Sequence, residues 1–186
     1  MESLLTAFFI WTIYFGINFN TAIIKYGTWM SLTIGLSVLT KQTGVLVIPV
    51  LFVTHAAQNW RSWKKFSYGI FFLGVGFLIS KALAFSPNYS FLANFKPADL
   101  VDVSVDPFIK IFIKNIMANI SWIKSYLSLP LLILFLFGFI FLFKKKRRTF
   151  IILSSWLIIP LISQSVIAKN LFPRYSLIAF PPILIT

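Results

Sequence analysis

Apolar residues occur along this chain in long runs that short polar segments interrupt. The hydrocarbon core of a bilayer is about 30 Å thick and accommodates about 20 mostly apolar residues as a helix, within a range of roughly 17–25. Several runs approach or reach that length, and none alternates regularly between apolar and polar residues. The pattern predicts an all-α fold, a multi-pass transmembrane helical bundle with about seven apolar passes. The runs are 3–19, 27–39, 45–57, 66–85, 129–143, 150–168 and 176–186.

The second and third runs are shorter than an ordinary membrane span. They predict either two thin or tilted helices that meet at a turn, or two half-helices enclosed by protein. In the fourth run, Gly69, Gly74 and Gly76 would let a neighbouring helix approach closely.

The segment 86–127 predicts an external loop followed by an amphipathic helix. Residues 86–107 are polar and contain most of the acidic residues of the chain. At helical spacing, residues 108–127 have a polar face with lysines and serines and an apolar face; the apolar face comprises Ile109, Phe112, Ile113, Ile116, Ile120, Ile123 and Leu127. This pattern is typical of a helix lying in the membrane interface. A solvent-exposed helix packed on the preceding loop would show the same pattern.

Composition supports a membrane protein and argues against a nucleic-acid-binding protein. Of 186 residues, 59% are hydrophobic and 11% are charged, and the mean hydropathy is +0.89. A soluble domain is about half apolar and about a quarter charged. The net charge of +13 comes mostly from residues between apolar runs, where anionic lipids attract them. We therefore expect residues 1–186 to form a single integral membrane domain whose partner is the lipid bilayer, with no nucleic acid.

The distribution of Lys and Arg predicts the orientation in the membrane. Cytoplasmic loops carry an excess of these residues. With seven passes, one set of connections contains Lys25, the residues Arg61, Lys64 and Lys65, and the basic cluster 144–148. The short connections on the other side contain Lys41, Lys169 and Arg174. The first set is therefore expected in the cytoplasm, and the Lys41 turn, the segment 86–127 and Arg174 on the external side.

Several polar residues are candidates for chemistry, each beside a structural alternative. Lys41 and Arg174 could bind a lipid-linked phosphate, as a compact ammonium and a planar guanidinium. They could equally reach the interface as membrane anchors. Asp99, Asp102 and Asp106 could act as a base or hold a divalent metal ion, but solvated loop acids are the more common case. A structural role is expected for His55, and no residue set has the spacing of a metal site.

Two stretches resemble polytopic glycosyltransferases of the C-type fold, a group that includes protein mannosyltransferase-like and aminoarabinose transferase-like enzymes. Residues 35–44, GLSVLTKQTG, resemble their G-L-x-x-L-T-K-x-x-G stretch. Residues 173–177, PRYSL, followed by Pro181 and Pro182, resemble a later R-Y-x-x-x-x-x-P-P stretch. The acidic start at Glu2 also looks like the beginning of one of their middle helices.

This resemblance implies transfer of a sugar, with inversion, from a polyprenyl-phosphate donor to a glycan, lipid or protein acceptor outside the cell membrane, in a bacterium or archaeon. It implies substrate-binding roles for the Lys41 and Arg174 regions; the candidate residues are Lys41, Gln42, Arg174 and Tyr175. The family's acidic catalytic loop has no counterpart here, so no catalytic residue is assigned, and we expect the chain to be a fragment of a longer protein. The alternative is a segment of a membrane transporter or lipid flippase, or a non-enzymatic assembly subunit.

Overall fold

The computed structural model describes residues 2–40, 42–84, 108–167 and 180–185. These ranges form helices and turns and contain no strand, which confirms the all-α prediction for this part of the chain. The elements are α1 (Glu2–Asn18), α2 (Ile23–Thr40), a 3-10 helix (Gln42–Leu46), α3 (Val47–Asn59), α4 (Trp63–Ala84), α5 (Phe108–Tyr126), α6 (Leu129–Lys145), α7 (Arg147–Ile167) and α8 (Phe180–Ile185).

Two of these helices are long and apolar enough to cross a membrane, within Trp63–Ala82 of α4 and Arg147–Val166 of α7. The number rises to three if α5 and α6, which are bent by 112° at their junction, are taken as one broken span. The sequence predicted about seven passes. The described helices reach a lower number: α1 and α3 are short apolar helices, α8 has six residues, and α2, although 18 residues long, is not among the helices apolar enough to span.

The chain divides into two compact units, Met1–Asn94 and Phe95–Thr186, here called the N-terminal and C-terminal units. In the N-terminal unit, α2 packs mainly against α1 and α4, while α3 packs against α1 and α4. Its fully buried apolar side chains come from the first three helices and include Phe9, Ile13, Met30, Ile34 and Leu51.

Small residues on α2 allow its close contact with α4. Gly27, Ser31 and Gly35 follow one another at intervals of four, so they lie on one face of the helix. The Ser31 hydroxyl donates a hydrogen bond of 2.7 Å to the Phe72 carbonyl of α4. A Cβ added to Gly35 would lie 2.6 Å from the Ile79 side chain. Such small-residue faces are typical of helices that pack within membranes.

In the N-terminal unit, the turns that precede α2 and α4 lie at the same end. Gly27 meets Phe72 and Gly35 meets Ile79, so α2 and α4 run in the same direction. The Gln58 amide near the end of α3 donates to the Ile17 carbonyl near the end of α1, at 3.0 Å. The short turns that precede α2 and α4 therefore lie at the same end of the unit. The turn after α2 lies about 27 Å away, at the other end, because α2 has 18 residues.

In the C-terminal unit, α7 contacts α5, α6 and α8. The rings of Phe139 and Phe150 lie 4.7 Å apart where α6 meets the start of α7. No residue of α6 is buried, although the helix is apolar from Leu129 to Phe143. Most of its large side chains are exposed, for example Leu134 at 64% and Phe137 at 69%, whereas Leu132, Phe135, Phe139 and Leu142 on one side are half-buried.

The faces of α5 differ from those predicted. The predicted apolar face is divided, because Leu127 after the helix is buried whereas Ile109, Ile113 and Ile120 are exposed. The face that packs against α7 instead carries Asn115 and Asn119. Hydrogen bonds to α7 satisfy these amides, so polar side chains take part in the contact between α5 and α7.

Candidate functional site

The turn after α2 carries the first candidate residues. Lys41 lies outside the described residues, as does the side chain of Gln42, and the structure describes the backbone of Gln42 at the start of the 3-10 helix. Gly44 packs directly against the last turns of α2, where a Cβ would overlap the Ser37 carbonyl oxygen. This residue has no positive φ, so the fold requires glycine here for space. The 3-10 helix therefore packs tightly against the last turns of α2.

The last turns of α2 are held by hydroxyl groups. Ser37 donates a hydrogen bond of 2.8 Å to the Thr33 carbonyl, and Thr40 donates one of 2.8 Å to the Leu36 carbonyl. Ser and Thr often bond back to the preceding turn in this way when a helix is shielded from water. Lys81 of α4 lies at the same end of the N-terminal unit, and its ammonium sits 5.6 Å from the centre of the Phe77 ring.

The second group of candidates precedes α8. Arg174 and Tyr175 belong to residues 168–179, outside the described part of the chain. Asp99, Asp102 and Asp106 also lie outside it. The described residues thus do not test whether Lys41 and Arg174 lie near each other. Pro181 and Pro182 fall in the first turn of α8, where a missing N–H group removes no helical hydrogen bond.

An apolar groove lies beside α8 in the C-terminal unit. It has a volume of about 510 Å³. Its lining comes from one side of α6 and from Ile183 of α8; the α6 residues are Leu131, Leu134, Phe135, Phe137, Gly138 and Phe141. All of these are apolar, so the groove suits a hydrocarbon chain better than a polar ligand. Sequence reasoning missed it, because a groove depends on how two distant helices are placed.

His55 lies at the centre of the N-terminal unit and is fully buried. Its ring meets the Phe19 ring edge-on at 4.8 Å, and its Nε2 atom lies 3.4 Å from the Met30 sulfur. A Cβ added to Gly69 of α4 would lie 2.9 Å from the ring, so glycine makes room for it. His55 of α3 thus contacts α2, α4 and the turn after α1, which agrees with the structural role expected for it.

A buried polar cluster in the C-terminal unit was not predicted. The Asn115 amide donates to the Ser165 carbonyl, and the Asn119 amide donates to the Ser165 hydroxyl, both at 3.1 Å. Ser165 in turn donates to the Leu161 carbonyl at 2.7 Å. The i, i+4 spacing of two asparagines was the available signal. Residues 119–121, Asn-Ile-Ser, match the Asn-x-Ser glycosylation pattern, but Asn119 is buried and hydrogen-bonded, so its amide is not presented at the surface.

The described residues contain no group of three or more His, Asp or Glu side chains that could hold a metal ion. Comparison with known proteins gives no further guide to the site: no family model, no curated protein and no solved structure matches the chain.

Proposed function

We propose that the chain is part of a multi-pass membrane glycosyltransferase, which transfers a sugar from a polyprenyl-phosphate donor to an acceptor at the external face of the cell membrane. The observation that carries the proposal is the turn after α2. The stretch 35–44, which resembles the family's lysine-containing stretch, includes the end of α2 and the start of the 3-10 helix, and Gly44 packs against Ser37. A tight turn at a helix end would hold the Lys41 ammonium near the membrane surface.

The exposed surface of α6 supports a membrane location. In water, contiguous apolar patches of more than a few hundred Å² are rare on soluble proteins. The helix α6 has no buried residue and exposes large apolar side chains over most of its surface. In lipid this exposure carries no penalty, because the acyl chains are as apolar as the side chains. The lengths of α4 and α7 support the same location.

The chemistry of the candidate residues suits a lipid-linked phosphate. In such a transfer, a hydroxyl or amine of the acceptor forms a bond to the anomeric carbon while the bond from that carbon to the phosphate oxygen breaks. Polyprenyl phosphate leaves with the electron pair, and Lys41 and Arg174 would stabilise its negative charge. The acceptor proton passes to a base, a role assigned to no residue of this chain. The groove beside α8 has the apolar character that a prenyl chain requires.

The test is sugar transfer by the full-length protein that contains this chain, reconstituted in vesicles with a radiolabelled polyprenyl-phosphate sugar. We expect Lys41→Ala and Arg174→Ala each to lower transfer about ten- to a hundredfold, because each removes a charge-assisted hydrogen bond to phosphate. Lys65→Ala and Arg61→Ala are matched controls, since both residues are exposed at the opposite end of the N-terminal unit. Unchanged transfer in both site variants would refute the assigned site. No transfer from any such donor would refute the function.

The break between α2 and α3 favours a transporter or lipid flippase as a second candidate. The helix α3 has 13 residues and follows a 3-10 helix, and interrupted short helices form the substrate sites of many transporters. Counter-flow uptake into vesicles without a covalent sugar product would favour this function.

A further inference from the structure

The exposed surface of α5 contains an apolar stripe. Ile109 is 69% exposed, and Ile113 and Ile120 are each 55% exposed. At about 100° per residue, these three isoleucines lie within a narrow sector of the helix. They are turned away from the sector of Asn115 and Asn119, which packs against α7. Met117 extends the stripe and is also exposed.

A positively charged stripe lies beside the isoleucines. It consists of exposed lysines and serines; these are Lys110, Lys114, Ser121, Lys124 and Ser125. The helix contains no acidic residue. An apolar stripe bordered by lysines is complementary to a bilayer surface with anionic head groups, where acyl chains and phosphates lie in adjacent layers.

The contact with α7 fixes the position of α5 along the axis of α7. Asn115 and Asn119 both bond to Ser165, near the end of α7. Arg147 begins α7 inside the basic cluster 144–148, and Ser165 lies about 27 Å further along the helix. That distance is close to the thickness of the hydrocarbon core. The bend of 112° between α5 and α6 also makes α5 nearly perpendicular to α6.

We infer that α5 lies in the head-group layer of the leaflet opposite the basic cluster 144–148, with Ile109, Ile113 and Ile120 among the acyl chains. Its lysines contact the phosphates of anionic phospholipids. The inference rests on the membrane location in the proposed function, and it does not depend on sugar transfer. It assigns α5 a partner, an anionic lipid surface, and a defined face toward that partner.

The test uses fluorescent labels on single cysteines, because the chain contains no native cysteine. The full-length protein, with any cysteines outside this chain replaced, is reconstituted in vesicles with and without phosphatidylglycerol. It carries a nitrobenzoxadiazole label at Ile113→Cys or at Ser121→Cys. Spin-labelled phospholipid, with the nitroxide in the upper part of an acyl chain, should quench the label at 113 at least about twofold more than the label at 121. Aqueous dithionite should reduce the label at 121 faster than the label at 113.

The double variant Lys114→Gln and Lys124→Gln should weaken the lipid quenching at 113 in the anionic vesicles only.

A third label, at Phe137→Cys on the exposed surface of α6, separates the proposed position of α5 from the proposed membrane location of the protein. Lipid quenching at 137 without lipid quenching at 113 would overturn the inference and leave the membrane location intact. Absence of quenching at both sites would overturn both. A label at 113 that neither lipid nor dithionite reaches would mean that protein covers the stripe, through a second copy or another part of the chain, and would also overturn the inference.

Discussion

At the residue scale, the contact between α2 and α4 depends on the absence of side chains at particular positions. Gly35→Leu should destabilise the protein by about 1–3 kcal/mol, because the new side chain would overlap Ile79 and force the helices apart. Gly74→Leu is the matched control: a Cβ there meets nothing within 4 Å, and leucine favours helix more than glycine does. The measurement is the free energy of unfolding in detergent micelles. Equal destabilisation by both substitutions would contradict the packing described here.

Some of these residues could be recognised in the sequence and others could not. Gly69, Gly74 and Gly76 were predicted to allow close helix approach; Gly69 and Gly76 meet His55 and Ile34, whereas a Cβ at Gly74 meets nothing within 4 Å. The asparagines of α5 were not singled out, because a polar residue on an amphipathic helix is normally assigned to its wet face. Only the structure reveals that Ser165, which lies 46 residues beyond Asn119, provides the hydrogen-bond partner. The residues Lys41, Gln42, Arg174 and Tyr175 stay predictions.

At the scale of elements, α6 is the clearest test of a lipid environment. Phe137→Lys should make the free energy of membrane insertion of this helix less favourable by about 2.5–3.5 kcal/mol, because it places a charge near the helix centre in hydrocarbon. Phe143→Lys should have a much smaller effect, since a lysine next to the basic cluster 144–148 can extend its ammonium into the head groups. Both phenylalanines are more than half exposed, at 69% and 53%. The measurement is the fraction of chains inserted, read from a glycosylation reporter after the helix. Equal insertion of the two variants would contradict a membrane-spanning α6.

The element boundaries show what a hydropathy pattern can predict. The run 3–19 corresponds closely to α1, and the run 45–57 to α3. The run 27–39 is shorter than α2, which begins at Ile23 and continues through Lys25. An apolar run measures the lipid-compatible part of a helix, whereas backbone hydrogen bonds continue through polar residues until a turn interrupts them. The change from the amphipathic pattern of 108–127 to the apolar run 129–143 coincides with the 112° bend between α5 and α6.

At the scale of the whole molecule, the sequence predicts that the charged connections sort to two sides of a membrane, and this orientation stays a prediction. In the N-terminal unit, the turns before α2 and α4 come together at one end, and the Lys41 turn follows α2 at the other. In the C-terminal unit, α7 separates the basic cluster 144–148 from the end that holds α5. The predicted number of passes was less successful, because it counted short apolar runs as complete spans.

The measurement that tests membrane orientation most directly is cysteine labelling with a membrane-impermeant maleimide in spheroplasts. Single cysteines replace Ser62 and Lys146 on the proposed cytoplasmic side, and Thr43 and Ser125 on the proposed external side. We expect the maleimide to label positions 43 and 125 in intact spheroplasts, and positions 62 and 146 only after permeabilisation, because the Lys- and Arg-rich connections stay in the cytoplasm. Labelling of all four positions in intact spheroplasts, or of 62 and 146 before 43 and 125, would contradict a chain that crosses the membrane with its candidate site outside.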